Sequence, residues 1–264
     1  MIQSQLIQRW RSTGMCEGDV VLLHSSISRT MKECQLEESS FTVANLLESF
    51  ISTVGVGGTL ILPLFNFSFC DGQPFIRSST PSSMGSLSEC ARQDKRFART
   101  THPIYSFAVC GSRSDEFVAL NNISALADDG PFGLLRRLDG KIAVLDLDDQ
   151  NSMTFYHHIE EVMNVDYRYH KSFTGTYIDY DRSQTERTYE LFVWDEFRRV
   201  QTDVNRAGDW LWVKGLYSGD RPFISSGMRV IRTKKMFDEV AHLIHDGFAE
   251  QFLYSINKDA LHER

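Results

Sequence analysis

Val20-Val-Leu-Leu-His24 and Thr59-Leu-Ile-Leu-Pro-Leu-Phe65 are two apolar runs, and the way they are joined decides the fold. Between them, apolar side chains recur at helical spacing over 43–51, and a glycine-rich turn occupies 55–58. Short apolar runs of this kind indicate buried strands, whereas a spacing of three and four residues indicates a helix. Strand, helix, turn and strand in this order predict a βαβ unit.

The same alternation continues through the first part of the chain. Apolar runs at 104–110 and 141–147 predict two further strands, and helical patterns at 84–93 and 131–138 precede them. A short helix is also predicted over 3–13, before the first strand. We therefore expect an α/β fold with a central mixed sheet flanked by helices.

The pattern changes in the second part of the chain. The segments 167–180 and 188–194 alternate Tyr, Phe, Thr and Val with polar residues across a polar turn, which predicts an antiparallel hairpin. A helical stripe over 234–253 follows. We therefore expect an α/β body over 1–165 and a smaller α+β lobe over 166–264.

The composition of the 264 residues, 42% hydrophobic and 24% charged, is that of an ordinary globular protein. With 28 basic against 35 acidic residues and no block of like charge, the chain is not expected to bind nucleic acid. It shows neither a basic and apolar leader nor a membrane-length apolar run, which predicts a cytoplasmic protein without membrane contact. Its five scattered cysteines predict reduced thiols.

The densest group of reactive side chains is Asn151-Ser-Met-Thr-Phe-Tyr-His-His-Ile-Glu-Glu161, which follows a predicted strand. It opens with good N-cap residues, so we expect a helix to begin there. On that helix Thr154, His157 and Glu160 lie on successive turns. An imidazole beside a carboxylate suits removal of a proton from an attacking amine or hydroxyl. The alternatives are a solvated helix surface and a metal site, and the absence of H-E-x-x-H disfavours the metal.

Two loops accompany this cluster. His24-Ser-Ser-Ile-Ser28 leaves the first strand with three hydroxyl groups, which suits binding of phosphate or amide groups. The stretch 66–83 is rich in Ser, Gly, Pro and aromatic residues but has no period. Because irregular loops of that length are commonly functional, we expect it beside the active site.

Six motifs in a fixed order carry a family resemblance. They are His24-Ser-Ser-Ile-Ser28, Gly57-Gly-Thr-Leu-Ile-Leu-Pro63, Thr80-Pro-Ser-Ser-Met-Gly85, Arg99-Thr-Thr-His-Pro103 with Ser106-Phe-Ala108 and Gly111, Gly130-Pro-Phe-Gly133, and Thr154-x-x-His157-x-x-Glu160. Taken together they resemble the aminoglycoside 3-N-acetyltransferase family. The resemblance covers about 1–165, and the later part is similar only in general character.

The resemblance implies an acyl-CoA-dependent N-acyltransferase that transfers an acyl group directly to an amine, without a metal. The acyl donor is then acetyl-CoA or a short hydroxyacyl-CoA. Carried over by position, His157 is the general base, Thr154 faces the thioester carbonyl and Glu160 takes the acidic position of the motif. The residues expected to line the CoA channel are His24, Ser25, Ser26, Ile27, Ser28, His102, Ser106 and Phe107.

The expected acceptor differs from an aminoglycoside. The loops expected to face it carry Arg77 and Arg136 together with Asp71, and arginine suits a diphosphate better than a polycation. Other family members act on nucleotide-linked amino sugars. We therefore predict a dTDP- or UDP-linked deoxy amino sugar, such as a dTDP-3-amino-3,6-dideoxyhexose, in surface glycan biosynthesis (O-antigen or lipopolysaccharide). The alternatives are an aminoglycoside 3-N-acetyltransferase and a non-catalytic acyl-CoA binder, and the exposed hairpin is compatible with a homodimer.

Overall fold

A mixed sheet of seven strands forms the centre of the protein, and the computed structural model describes residues 2–256. Two smaller sheets accompany the large one. The strands are β1 (Val20–Ser25), β2 (Thr59–Pro63), β3 (Phe75–Ile76), β4 (Ala98–Arg99), β5 (Phe107–Gly111), β6 (Lys141–Leu145), β7 (Arg168–Ile178), β8 (Gln184–Trp194), β9 (Val200–Thr202), β10 (Ser218–Gly219), β11 (Met228–Arg232) and β12 (Tyr254–Ile256). The helices are α1 (Ile2–Ser12), α2 (Ser28–Glu37), α3 (Val43–Val54), a 3₁₀ helix (Ser68–Asp71), α4 (Ser86–Gln93), α5 (Ser114–Val118), α6 (Pro131–Arg137), α7 (Phe155–Val162), α8 (Asn205–Val213), α9 (Thr233–His245) and α10 (Ala249–Phe252).

The strand order of the large sheet is β10-β11-β6-β1-β2-β5-β4. β1 pairs in parallel with β2 and with β6. β5 pairs antiparallel with β2, and β11 pairs antiparallel with β6. The chain passes from β1 to β2 through α2 and α3, which is the predicted βαβ unit. The expected α/β fold with a central mixed sheet flanked by helices is therefore confirmed.

The two faces of the sheet bury separate apolar layers, because successive side chains of a strand point to opposite faces. Val21 and Leu23 of β1 belong to the layer that holds Phe50 of α3. Leu22 belongs to the other layer, which includes side chains of α6, α7 and α9. His24 has the same parity along β1 as Leu22, so its imidazole points to the face that carries α7.

The large sheet takes strands from both sides of the predicted boundary at residue 165. β11 pairs with β6 from Met228 opposite Leu145 to Arg232 opposite Lys141, and β10 extends the sheet beyond β11. Described residues on both sides of that boundary therefore lie in one sheet. β11 is not predicted from the sequence, because Arg229 interrupts its short apolar run.

The hairpin is present, with a first strand shorter than the expected 167–180 and a second strand that begins at Gln184 instead of residue 188. β7 and β8 pair antiparallel, and β3 adds to β7 in parallel, which gives a separate three-stranded sheet. The helix expected over 234–253 is broken, because α9 ends at His245 and Gly247 has a left-handed backbone with φ of 82°. Glycine adopts that conformation without strain, so it ends the helix before α10 begins.

Within residues 2–256, none of the helices combines the length and the apolar character that crossing a membrane would need.

Candidate active site

α7 carries the predicted catalytic residues and follows the end of β6. It begins at Phe155, later than the expected start at 151–152, because residues 150–152 form a turn. There the side chain of Asp148 accepts the backbone N–H of Asn151 at 2.9 Å, and such local bonds compete with a helix. Thr154 precedes α7, and its hydroxyl makes no capping bond to the helix.

His157 and Glu160 form a hydrogen-bonded pair one helical turn apart. Nδ1 of His157 lies 2.8 Å from Oε2 of Glu160, whose side chain is completely buried, whereas 20% of the His157 side chain is exposed. The ionised carboxylate can only accept a hydrogen bond. A proton on Nδ1 therefore allows His157 to donate to Glu160, whereas an unprotonated Nδ1 would direct its lone pair at the carboxylate and be repelled. Nε2 of His157 is therefore left free to act as a base.

Tyr167 and Arg168, at the start of β7, enclose the buried carboxylate of Glu160. Nε of Arg168 lies 2.8 Å from Oε2, and the hydroxyl of Tyr167 donates to Oε1 at 3.1 Å. Nη2 of Arg168 donates to Oγ1 of Thr202 at 3.0 Å. It also lies 2.9 Å from Nδ1 of His157, where its charge acts on the imidazole without a hydrogen bond, because Nδ1 carries a proton. Sequence analysis missed both residues, because the connection from α7 to β7 has no repeating pattern that would place them.

The surroundings of the pair leave Glu160 ionised and His157 neutral. Burial raises the pKa of Glu160, but the charge of Arg168 and the hydrogen bonds from His157 and Tyr167 outweigh burial and lower it. Burial, followed by the charge of Arg168, lowers the pKa of His157 against the opposing effect of Glu160. A neutral imidazole beside an ionised carboxylate can accept a proton and remain oriented as it does so.

Two cavities meet at His157. The loop cavity, of about 300 Å³, includes His24, Met84, Asp149, Ser152 and Thr154 in its lining. The hairpin cavity, of about 280 Å³, lies against β7 and β8 and includes Lys171, Phe173, Leu191, Phe192, Trp194 and Glu196 in its lining. His157, Phe67 and Tyr105 line both cavities. The imidazole therefore lies where a group held in one cavity meets a group held in the other, and Phe67 brings the long 66–83 loop to the site.

His24 is the member of the expected CoA-binding loop that lines the loop cavity. It is buried, and its Nε2 has no hydrogen-bond partner among the residues that the structure describes. Burial, with a further contribution from the charge of Arg229, lowers the pKa of His24 to about 3, so the imidazole is neutral. Such an unpaired nitrogen favours a hydrogen bond with a bound ligand. The residues that follow His24 toward α2 lie outside both cavities: Ser25, Ser26, Ile27 and Ser28.

His102, Ser106 and Phe107 were also expected in the CoA channel, but all three are buried and line neither cavity. Nδ1 of His102 accepts the backbone N–H of Tyr105 at 3.1 Å, so His102 holds a residue that does line both cavities. Oγ of Ser106 accepts from Arg99 at 3.0 Å, and Phe107 belongs to the apolar core. These side chains take part in packing and internal hydrogen bonds, and their contact with CoA stays a prediction.

Arg77, Arg136 and Asp71, expected to contact the acceptor, line neither cavity. Arg77 is buried and pairs with Asp179 at 3.1 Å. Arg136 pairs with Asp128 at 2.7 Å, and Asp71 is exposed at the end of the 3₁₀ helix. The two arginines therefore pair with carboxylates of the protein itself, and their contact with an acceptor stays a prediction.

A buried polar network underlies the loop cavity. The carboxylate of Asp149 accepts from the hydroxyls of Tyr156 and Tyr217 at 2.7 Å each and from Arg229 of β11 at 2.8 Å. These partners come from three separate segments, so no local sequence pattern predicts the network. Across residues 2–256 there is no group of three or more His, Cys, Asp or Glu side chains that could hold a metal ion.

The sequence matches a family model over most of its length and a curated relative over a shorter part. A family model described as aminoglycoside 3-N-acetyltransferase matches residues 22–245. Aminoglycoside N(3)-acetyltransferase IV from Salmonella is 26% identical over 164 residues, which are 61% of this chain and 59% of that relative. The match thus spans about three fifths of the relative's length.

Solved structures share the fold. Aminoglycoside acetyltransferase AAC(3)-Xa has a TM-score of 0.77 with 16% identity over 93% of each chain. AAC-IIIb, solved as a binary complex with CoASH, has a TM-score of 0.76 with 15% identity over 95% of this chain and 97% of its own. The YokD protein from Bacillus subtilis has a TM-score of 0.74 with 16% identity over 93% of this chain and 99% of its own. Because the family model matches most of the sequence, the chain belongs to the aminoglycoside 3-N-acetyltransferase family.

Proposed function

We propose that the protein is an acyl-CoA-dependent N-acyltransferase that transfers an acetyl or other short acyl group to an amine of an aminoglycoside-type acceptor. The observation that carries the proposal is the His157–Glu160 pair at the junction of two cavities, with Nδ1 of His157 2.8 Å from the carboxylate. Nε2 is thereby free for the attacking amine, which suits an acyl transfer that needs one base and two adjoining binding sites.

The loop cavity suits the acyl donor. Its lining includes Nε2 of His24, which has no hydrogen-bond partner among the described residues, and the hydroxyl of Thr154, which makes no capping bond to α7. Both groups are able to form hydrogen bonds with amide and carbonyl groups. A structural relative with 15% identity is described as a complex with CoASH, which supports this class of donor. When bound, acyl-CoA supplies the thioester carbon that the amine attacks.

His157 and its neighbours move the proton. As the amine nitrogen bonds to the acyl carbon, Nε2 of His157 takes the proton of the amine, and the buried charge of Glu160 stabilises the resulting imidazolium. The carbon–sulfur bond breaks and the same proton passes to the departing sulfur. Arg168 keeps Glu160 ionised through its contact at 2.8 Å.

Transfer is direct, without a covalent acyl-enzyme. Cys70 is the thiol in the irregular 66–83 loop, but burial raises its pKa to about 11, so it carries no thiolate near neutral pH. Cys70 lines neither cavity. The acyl group therefore passes from donor to acceptor with both substrates bound.

The acceptor class follows the relatives. Two solved structures are described as complexes of AAC(3)-IVa, one with a gentamicin and one with apramycin, which favours the aminoglycoside alternative over the nucleotide-linked sugar. The nucleotide-sugar hypothesis depended on Arg77 and Arg136, and both pair with carboxylates outside the cavities. The predicted role in glycan biosynthesis depended on the nucleotide-sugar hypothesis and is therefore no longer supported. A cytoplasmic location and a homodimer stay predictions.

Replacement of the base tests the proposal. We expect His157→Gln to lower the rate of CoA thiol release with an amine acceptor by about 10²-fold or more, with acetyl-CoA binding retained, because only proton transfer is removed. Thiol release and calorimetric binding of acetyl-CoA measure the two effects.

The neighbouring histidine is a poor control, because His158 is fully buried and Nδ1 lies 2.7 Å from the carbonyl of Leu126. His170 of the hairpin, whose side chain is 43% exposed, is a better one. Full activity of His157→Gln would refute its role as base, and a large loss in His170→Gln would show that the assay reports folding instead.

A further inference from the structure

Thr202, the last residue of β9, lies between the loop cavity and the catalytic pair. It belongs to the lining of the loop cavity, whereas Arg168 belongs to the lining of the hairpin cavity. Nη2 of Arg168 lies 3.0 Å from Oγ1 of Thr202 and 2.9 Å from Nδ1 of His157. The hydroxyl and the imidazole therefore flank one nitrogen atom, which places Thr202 close to the base on the side of the acyl donor.

The hydroxyl of Thr202 is left with a proton to donate. A guanidinium N–H can only donate a hydrogen bond, so Oγ1 is the acceptor toward Arg168. A hydroxyl also carries one proton, and the proton of this hydroxyl has no hydrogen-bond acceptor among residues 2–256. Because Thr202 lines the loop cavity, the proton is available to a group that binds there.

The charge of Arg168 makes this hydroxyl a stronger donor. A hydroxyl that accepts a hydrogen bond from a cation is polarised, and its own proton then forms a stronger hydrogen bond. The guanidinium itself is held in place, because Nε faces Glu160 at 2.8 Å and Nη1 donates to the carbonyl of Phe192 at 3.1 Å. The positive charge of Arg168 therefore acts on a ligand in the loop cavity through Thr202.

Gln150 fixes the backbone around Thr202. Its side-chain amide donates to the carbonyl of Thr202 at 3.0 Å and accepts the backbone N–H of Val204 at 3.0 Å. β12 adds a second constraint, because Tyr254 pairs with Thr202 in the antiparallel ladder. A donor held in this way needs no reorganisation when charge develops on a ligand, which is the requirement for stabilising a transition state.

We propose that the hydroxyl of Thr202 is a catalytic hydrogen-bond donor that binds the thioester carbonyl oxygen of the acyl donor and stabilises the negative charge that develops there when the amine attacks. The inference rests on the proposed acyl transfer and adds a residue to its site. The hydroxyl keeps its own proton throughout, because His157 takes the proton of the amine and returns it to the departing sulfur. Thr154, in the same lining, is able to donate to the same oxygen.

Two substitutions of Thr202 test the hydroxyl. Thr202→Val removes it with little change of shape, and we expect kcat for thiol release from acetyl-CoA to fall by about 10²-fold, as on removal of one donor to an oxyanion. Thr202→Ser keeps the hydroxyl and should retain most of the activity. Thr185→Val in β8 is the matched control, because the hydroxyl of Thr185 also accepts from an arginine, Arg187 at 3.0 Å, but Thr185 lines neither cavity.

The pH profile separates a direct role from a role in holding Arg168. A direct donor lowers kcat at every pH and leaves the acid limb in place. If Thr202 acted only by holding Arg168, its loss would weaken the effect of that charge on His157, the pKa of His157 would rise, and the acid limb would move to higher pH. A moved acid limb with little loss of kcat at the plateau would overturn the inference, and so would an unchanged kcat in Thr202→Val.

Direct binding separates this inference from the proposed function. S-ethyl-CoA is a thioether that lacks the carbonyl oxygen of acetyl-CoA, so calorimetry with both compounds measures the hydrogen bond without any chemistry. We expect the parent protein to bind acetyl-CoA about 5-fold more tightly, Thr202→Val to lose most of that preference and Thr202→Ser to keep it. If this pattern holds but no amine releases thiol, the acyl transfer fails and the contact of Thr202 with the carbonyl stands. Equal affinities of the two compounds for the parent protein, or acetyl-CoA that does not bind, would overturn the inference.

Discussion

Arg168 connects the catalytic pair to the hairpin sheet. Its Nη1 donates to the carbonyl of Phe192 and its Nη2 donates to Thr202, while Nε faces Glu160. Because Nη1 and Nη2 are hydrogen-bonded to Phe192 and Thr202 and the guanidinium is ion-paired with Glu160, its charge stays close to both the carboxylate and the imidazole of His157. We therefore regard Arg168 as a positioning residue that keeps His157 neutral and Glu160 ionised.

Removal of this charge should change the pH dependence of catalysis. The charge of Arg168 contributes to the lowered pKa of His157, so in Arg168→Met that pKa should rise and the acid limb of kcat should move to higher pH. Breaking the buried ion pair should also cost about 3–5 kcal/mol of stability. Arg168→Lys, which keeps a charge, should move the limb less. Equal losses of activity in both variants with an unmoved acid limb would contradict the positioning role.

The residue spacing predicted the contact between His157 and Glu160, but it did not predict which other residues surround that pair. Residues three apart on a helix are neighbours, so the imidazole and the carboxylate could be joined from the sequence alone. Thr154 lies outside the helix because the preceding turn uses the side chain of Asp148. Arg168 reaches Glu160 through the folding of β7 against α7, and no periodic pattern records such a contact.

Helix α8 packs closely against the network beneath the loop cavity. A Cβ added to Gly208 of α8 would lie 2.5 Å from Cγ of Asp149. Glycine costs a helix about 1 kcal/mol relative to alanine, but overlap with a buried carboxylate held by three partners costs about 1–3 kcal/mol. We therefore expect Gly208→Ala to lower the free energy of unfolding in urea by up to about 2 kcal/mol, the overlap minus the gain in helix propensity.

The control for this element is Gly57→Ala. The nearest atom to a Cβ at Gly57 lies at 3.9 Å, so the substitution meets no overlap and should change stability by less than about 0.5 kcal/mol. A Gly208→Ala variant more stable than the parent would show that helix propensity outweighs the contact with Asp149.

Elements with strong local patterns were predictable, and elements defined by distant partners were not. β1, α3 and β2 follow from apolar runs and a glycine turn within one stretch of chain. β11 escaped prediction because Arg229 interrupts its apolar run, and that arginine is buried only because Asp149 of a distant loop compensates its charge. Whether such a segment forms a strand depends on its contacts with distant parts of the chain and not on its local propensity.

The molecule as a whole buries several histidines in neutral form. Burial lowers the pKa of His24 and of His102 to about 3, with the charge of Arg229 adding to the effect at His24, and burial lowers the pKa of His158 to about 4. In the unfolded chain these imidazoles take up a proton below about pH 6.5. Between these limits the unfolded state binds more protons than the folded state, so stability must fall as pH is lowered.

The expected dependence is steep, since three protons at about 1.4 kcal/mol per pH unit each give a slope of up to about 4 kcal/mol per unit near pH 5. Urea unfolding between pH 5 and 7 measures how the free energy of unfolding changes with pH. Most carboxylates titrate below this pH range and therefore contribute little to the slope. His102→Asn should lower it by about one proton, because an amide oxygen can still accept the backbone N–H of Tyr105 that Nδ1 of His102 accepts. His245→Asn, at an exposed position, should leave it unchanged. A stability that stays flat from pH 7 to pH 5 would show that these imidazoles gain protons in the folded protein and would contradict their burial as neutral groups.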